Sequence, residues 1–126
     1  MEDGNGPLVL VVDDDSRSRE LLRIVLKFAG YRVISAADAQ VAVALLEAER
    51  PVAALADLMM PGMTGLEFCR WIRSRPELEG LRFILLTGMD ADETRTEARE
   101  AGVDAMITKP FDRAELLATL AGLIAR

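Results

Sequence analysis

Leu8-Val9-Leu10-Val11-Val12 is followed at once by Asp13-Asp14-Asp15. Five apolar residues in a row, three of them β-branched, predict a strand. The unbroken run means that both faces of that strand are buried. Such a strand lies inside a sheet covered by helices, and the three acids then stand at its carboxyl end. Two more unbroken runs repeat the pattern: Val52-Ala53-Ala54-Leu55-Ala56, and Phe83-Ile84-Leu85-Leu86 within a strand expected over residues 82–86. Residues 31–35 alternate in polarity and residues 105–108 form a brief run, so these two read as the sheet edges.

Helical patterns fill the intervals. Leu21, Leu22, Val25, Leu26 and Ala29 recur at helical spacing, and Gly30 ends them. Asp38 stands before Val41, Ala42, Leu45 and Leu46. Thr64 with Glu67, Asp90 with Glu93 and Asp112 with Glu115 have the spacing of capping boxes or their close relatives. The third helix is expected to bury Leu66, Cys69 and Ile72. The fifth is expected to bury Leu116, Leu117, Leu120 and Ile124. The fourth, over residues 91–101, offers the sheet only Ala98 and Ala101 and is expected to pack most loosely.

Strands alternating with helices through short connections predict an α/β domain: a doubly wound, five-stranded parallel sheet with helices on both faces. With the second and fifth strands at the edges, the order is 2-1-3-4-5, a flavodoxin-like (βα)5 arrangement. Its ligands bind outside the carboxyl ends of strands one and three. Residues 1–7 read as a disordered leader and residues 8–126 as one domain. The last helical pattern runs to Arg126, so a stand-alone domain without an effector is expected.

Composition excludes whole classes of function. The chain has 126 residues and no histidine. Ser-His-Asp triads, Cys-His pairs and His-ligated metals are therefore absent. Twenty-one acids against fifteen bases give a net charge of −6, which repels phosphate backbones and argues against nucleic acid. No apolar run reaches the length of a membrane span, and the start Met1-Glu2-Asp3 lacks the basic residues of a secretory signal. A single cysteine, Cys69, forms no internal bridge, and the cytoplasm is the expected compartment.

Four strands deliver polar groups to one edge of the sheet. Asp13, Asp14 and Asp15 follow the first strand and Asp57 follows the third. Thr87 follows the fourth, and Lys109, ahead of Pro110 and Phe111, follows the fifth. Taken singly, each has a plain structural use: a helix cap, a turn residue, a strand residue, a surface charge. Met59, Met60 and Met63 suit packing and loop better than metal ligation. Together the polar groups say more. Carboxylates about 5 Å apart repel by roughly 3 kcal/mol per pair at an effective dielectric near 20, so such a cluster calls for a cation. Hard oxygen ligands with room for water suit Mg²⁺. The metal and Lys109 would attract a phosphoryl group, and with no histidine at hand an aspartate is the best nucleophile.

Val11-Val12-Asp13-Asp14, Asp57-Leu58-Met59-Met60-Pro61-Gly62-Met63, Thr87-Gly88 and Ile107-Thr108-Lys109-Pro110-Phe111 resemble the receiver domain of two-component response regulators, in order and spacing, over essentially the whole chain. The resemblance implies a stand-alone, chemotaxis-regulator-like receiver. The resemblance implies that Asp57 is the phosphoacceptor, charged by a histidine kinase or a histidine phosphotransfer protein. It implies that Asp14, Asp57 and the Met59 carbonyl bind Mg²⁺ directly, with Asp13 acting through water and Mn²⁺ as a substitute ion. Lys109 and Mg²⁺ would spread the transition-state charge. The Lys109–Pro110 bond would be cis. Thr87 would move toward the phosphoryl group, and the output would be a changed protein-binding face on helix four, strand five and helix five, read by a downstream protein. The chain would be a monomer or a weak phosphorylation-dependent dimer. It would be no enzyme beyond its own phosphorylation and dephosphorylation.

Some positions depart from the family pattern. Met106 stands where an aromatic switch residue is usual, and Gly88 where alanine is common. Both bear on the switch and neither on the phosphoacceptor. Thr64 replaces a frequent aspartate and still suits a helix cap. Met59 and Met89 occupy positions that tune phosphate loss; being apolar, they predict a long-lived phosphoaspartate. Two rival readings differ in class. A small haloacid-dehalogenase-like phosphatase would use Asp13 as nucleophile and Asp15 as acid, but would leave Asp57 unexplained. A phosphorylation-independent interaction module would keep the fold without the chemistry.

Overall fold

β1 (Leu8–Val12) is buried along its whole length. It pairs in parallel on both sides, with Leu10 opposite Ile34 of β2 (Arg32–Ala36) and opposite Ala54 of β3 (Ala53–Asp57). Leu55 of β3 faces Ile84 of β4 (Arg82–Thr87), and Leu85 faces Met106 of β5 (Ala105–Thr108). The order is β2-β1-β3-β4-β5, all parallel, as the apolar runs predict. The computed structural model describes residues 5–88 and 91–126.

Side-chain alternation divides the core in two. Leu10, Val12, Ala54, Ala56, Phe83 and Leu85 pack on one side, with α2 (Ala39–Glu49), α3 (Gly65–Arg73) and α4 (Asp92–Ala101). Val9, Val11, Leu55, Ile84, Leu86 and Ile107 pack on the other, with α1 (Ser16–Phe28) and α5 (Arg113–Ile124). Small Ala54 and Ala56 leave room for larger neighbours. The rings of Phe68 and Phe83 fill that side edge to face, 6.0 Å apart.

Helix starts are set by side chains. Asp15 caps α1 by accepting the Arg17 N–H at 2.9 Å, and Asp38 caps α2 through the Val41 N–H at 2.9 Å. Thr64 and Glu67 form the expected reciprocal box, at 2.9 and 3.1 Å. Asp112 caps α5 through the Ala114 N–H at 2.8 Å. Ala91 occupies the cap position of α4 and makes no side-chain bond there. Asp90, expected to cap this helix, lies outside the described residues, as does Met89.

Some expectations shift. β2 starts one residue later than expected because the Tyr31 N–H closes α1, donating to the Leu26 carbonyl at 3.1 Å past Gly30 at φ +98°. β3 is displaced by one residue, starting at Ala53 rather than Val52 and taking in Asp57, which pairs with Leu86. Leu21, Ala29 and Val41, read as core-facing, are exposed, and α5 buries Leu123 while Leu117 and Ile124 are half-buried. Gly6 and Pro7, within the expected leader, bond to the ends of neighbouring elements: the Gly6 N–H donates to Gly30 O at 3.0 Å, and the Arg32 N–H to Pro7 O at 3.1 Å. No helix among the described residues is long and apolar enough to cross a membrane.

Candidate functional site

Asp13 extends β1 by one ladder bond, its N–H donating to the Ala36 carbonyl at 3.1 Å. Its side chain is 0% exposed. One carboxylate oxygen accepts the Asp15 N–H at 2.9 Å, and the other accepts from Lys109 Nζ at 3.1 Å. Asp14 is exposed, and Asp57, at the end of β3, keeps 14% of its side chain accessible. Lys109 Nζ lies 3.3 Å from Asp57 Oδ2, so one ammonium bridges the ends of β1 and β3 from β5. Carboxylate oxygens of Asp13, Asp14 and Asp57 lie within 4.8 Å of one another. The three acids after β1 therefore divide: two join the cluster and Asp15 caps α1.

Electrostatics follow from this crowding. Partial burial raises the pKa of Asp57; Lys109 pulls it down and Asp13 pushes it up, and the balance stays above the ordinary carboxylate range. For Lys109, burial alone would lower the pKa. The hydrogen bond to Asp13 and the charges of Asp13 and Asp57 outweigh it and hold the ammonium above its usual range. Three hard oxygen donors at this spacing, one of them solvent-facing, fit a small divalent cation that keeps water ligands.

The other expected residues take their places at the same level. Thr87 is buried at the end of β4, and its carbonyl accepts the Lys109 N–H at 2.8 Å. The Lys109–Pro110 peptide bond is cis. Met59, directly beyond Leu58, is 66% exposed beside Asp57, whereas Met60 is buried and Met63 half-buried in the core below α3. Gly62 takes φ +83° in the turn that follows. Met106 is half-buried against the core on the α4 side.

Two residues escaped the sequence reading. A Cβ on Gly65 would sit 2.5 Å from the Asp57 carbonyl oxygen and 2.8 Å from Leu85 Cδ1, so only glycine lets α3 start this close to the site. The available signal was a glycine at a helix's first position, right after the cap. Arg19, on α1, reaches back to the Asp13 carbonyl at 2.8 Å. No short sequence spacing announces that contact.

A parallel sheet of this order, with acids after its first and third strands and a lysine after its fifth, defines a receiver fold. The family model described as the response regulator receiver domain matches residues 9–121, and the chain belongs to that family, which serves two-component phosphorelay signalling. Among curated proteins, the chain is 42% identical over 118 residues to the response regulator MprA of Mycolicibacterium vanbaalenii, covering 94% of this chain and 50% of that protein. The chain thus spans about half the length of the curated relatives it matches. Among solved structures, it resembles the chemotaxis protein CheY4 of Vibrio cholerae, with a TM-score of 0.88 at 32% identity, covering 93% of this chain and 98% of that one. It also resembles the receiver domain of a sensor histidine kinase from Pseudomonas aeruginosa, whose structure holds a magnesium ion in the active site cleft. There the TM-score is 0.87 at 31% identity, covering 96% of this chain and 99% of that one.

Proposed function

We propose that residues 8–126 act as a phosphoacceptor domain in which Asp57 takes a phosphoryl group from a phosphohistidine on a histidine kinase or phosphotransfer protein. The observation that carries this reading is the bridging of Asp13 and Asp57 by Lys109, at 3.1 and 3.3 Å, beside a third carboxylate. Accessibility separates Asp57 from Asp13 as the nucleophile. Asp13 is fully buried with both oxygens engaged, so it suits holding geometry rather than attacking. Asp57 keeps an accessible edge.

The residues divide the work. Asp14, Asp57 and the Met59 carbonyl would hold Mg²⁺, with Asp13 acting through water and Mn²⁺ able to replace it. The bound ion supplies charge neutralisation for the transferring phosphoryl oxygens. An Asp57 oxygen attacks phosphorus as the P–N bond to the donor's imidazole breaks, and that nitrogen keeps the bonding pair. Lys109 faces the phosphoryl oxygens and offsets their charge. Thr87, at the same sheet edge, then hydrogen-bonds the new phosphoryl group. Its movement, with Met106 on the α4 side, carries the change to the face formed by α4, β5 and α5, where a downstream protein binds. The chain performs no turnover on other substrates, works in the cytoplasm, and is a monomer or a weak phosphorylation-dependent dimer.

The test is phosphorylation of the chain with acetyl phosphate and Mg²⁺, read by intact mass. One added phosphoryl group on the wild type and none on Asp57→Asn is expected. Labelling that survives Asp57→Asn and disappears in Asp13→Asn would support a phosphatase-type nucleophile instead. An unlabelled wild type whose α4 exchange ignores beryllium fluoride would support a phosphorylation-independent module. Met59, exposed and apolar beside Asp57, orients no attacking water. A slow loss of label, accelerated in Met59→Asn and Met89→Asn, is therefore expected; loss that is fast in the wild type and indifferent to both changes would contradict it.

A further inference from the structure

Asp13 is restrained at every polar atom. Its N–H is bonded to Ala36, its two carboxylate oxygens to the Asp15 N–H and Lys109, and its carbonyl to Arg19 Nη1 at 2.8 Å. Of these partners, only Arg19 comes from within a helix, at the fourth position of α1. A cation so near a helix's amino end opposes the helix dipole, so its placement does not serve the helix. Among the described residues, the bond to Asp13 is the only hydrogen bond or ion pair of the Arg19 side chain. Arg19 is half-buried, and its guanidinium bonds the turn that carries Asp13 and Asp14.

We propose that Arg19 is a positioning residue of the acidic site: its bond to the Asp13 carbonyl fixes the β1–α1 turn in the geometry that binds a divalent cation. The inference rests on the reading of Asp13, Asp14 and Asp57 as a Mg²⁺ site. It makes a prediction opposite in sign to simple electrostatics. Removing a positive charge near three carboxylates should tighten cation binding if charge alone matters. Removing a residue that orients metal ligands weakens it, typically 10–100-fold.

Magnesium chloride titrated calorimetrically into the full chain distinguishes the two, with melting temperature in EDTA measured alongside. Arg19→Ala is expected to bind Mg²⁺ roughly tenfold more weakly than wild type, at the low end of that range. Arg19→Lys, which keeps the charge and one donor, is expected to recover part of the loss. Tighter binding in Arg19→Ala overturns the proposal, and so does unchanged affinity accompanied by a lower melting temperature. Should Arg19→Ala fail to fold, Arg19→Gln provides the same comparison. Asp14→Asn identifies the other failure: if it binds Mg²⁺ as well as wild type does, or if wild type binds none, the metal-site reading falls and this inference with it, whatever the Arg19 variants do.

Discussion

At the scale of the residue, Asp57 is held in an environment that favours its neutral form. Burial raises its pKa most; Lys109 and the Met59 backbone bond pull it down, Asp13 pushes it up, and the balance stays raised. The folded pKa thus lies above the ordinary value. The stability linked to this group is fully present at acid pH and is lost as pH rises through the folded pKa. At neutral pH the ionised carboxylate is a cost to the metal-free fold. Asp57→Asn removes that charge while keeping the shape. In EDTA at neutral pH it should raise stability by about 1 kcal/mol, a fraction of the roughly 3 kcal/mol repulsion per carboxylate pair, because the contact with Lys109 is lost too. For a chain of this length that is a rise of about 3–5 °C in Tm. The gain should shrink as the pH falls through the carboxylate range. Thermal melts at neutral and acid pH check it, and a gain that persists in acid would locate its cause elsewhere.

At the scale of the element, α3 and α4 show opposite designs. α3 is locked at its start by a reciprocal cap and by Gly65 seated against the Asp57 carbonyl. Gly65→Ala offers at most about 1 kcal/mol of helix propensity. It forces a Cβ to 2.5 Å from backbone, an overpacking cost of typically 1–3 kcal/mol. The clash is with a main-chain atom that cannot swing aside, so a net loss of about 2 kcal/mol is expected by chemical denaturation, with slower labelling of Asp57. α4 is anchored at the opposite end. The Cys69 thiol donates to Ala101 O at 3.4 Å, and Arg73 bonds Gly102 O at 3.0 Å, Leu81 O at 2.7 Å and Asp104 at 3.0 Å. Its start has Ala91 and no side-chain cap. Amide exchange should therefore be faster in the first half of α4 than in the second, and Arg73→Ala should erase the difference; equal rates in the wild type would contradict this. The sheet order and the site acids were legible because each apolar run ends abruptly in a polar group, a signal local in sequence. The roles of Gly65 and Arg19 were not, since each depends on how closely a helix approaches a strand end. Leu21 was misread for a similar reason: helical spacing defines a stripe, but the sheet beneath decides which margin of it is covered.

At the scale of the molecule, the sheet separates two helical faces, and the acidic edge opens between them. On the α1–α5 side, a groove of about 400 Å³ is lined by Ser18, Leu21, Leu22, Lys109, Pro110 and Phe111. Lys109 thus belongs both to the charged cluster and to this apolar groove. Leu21 is 51% exposed and lines this groove with Lys109, whose ammonium lies 3.3 Å from Asp57. A protein bringing phosphohistidine to Asp57 has to settle at this edge, and covering Leu21 would return the free energy of its exposure. Acetyl phosphate needs no such surface. Leu21→Ala should therefore slow phosphotransfer from a cognate phosphodonor protein about tenfold, the effect of losing one apolar contact worth 1–2 kcal/mol at an interface. Labelling by acetyl phosphate should stay at the wild-type rate, and stability should change little because the side chain is already half in water. Parallel time courses with the two donors separate the outcomes. Equal slowing with both would mean that Leu21 supports the site itself, and no slowing with either would move the donor's docking surface off α1.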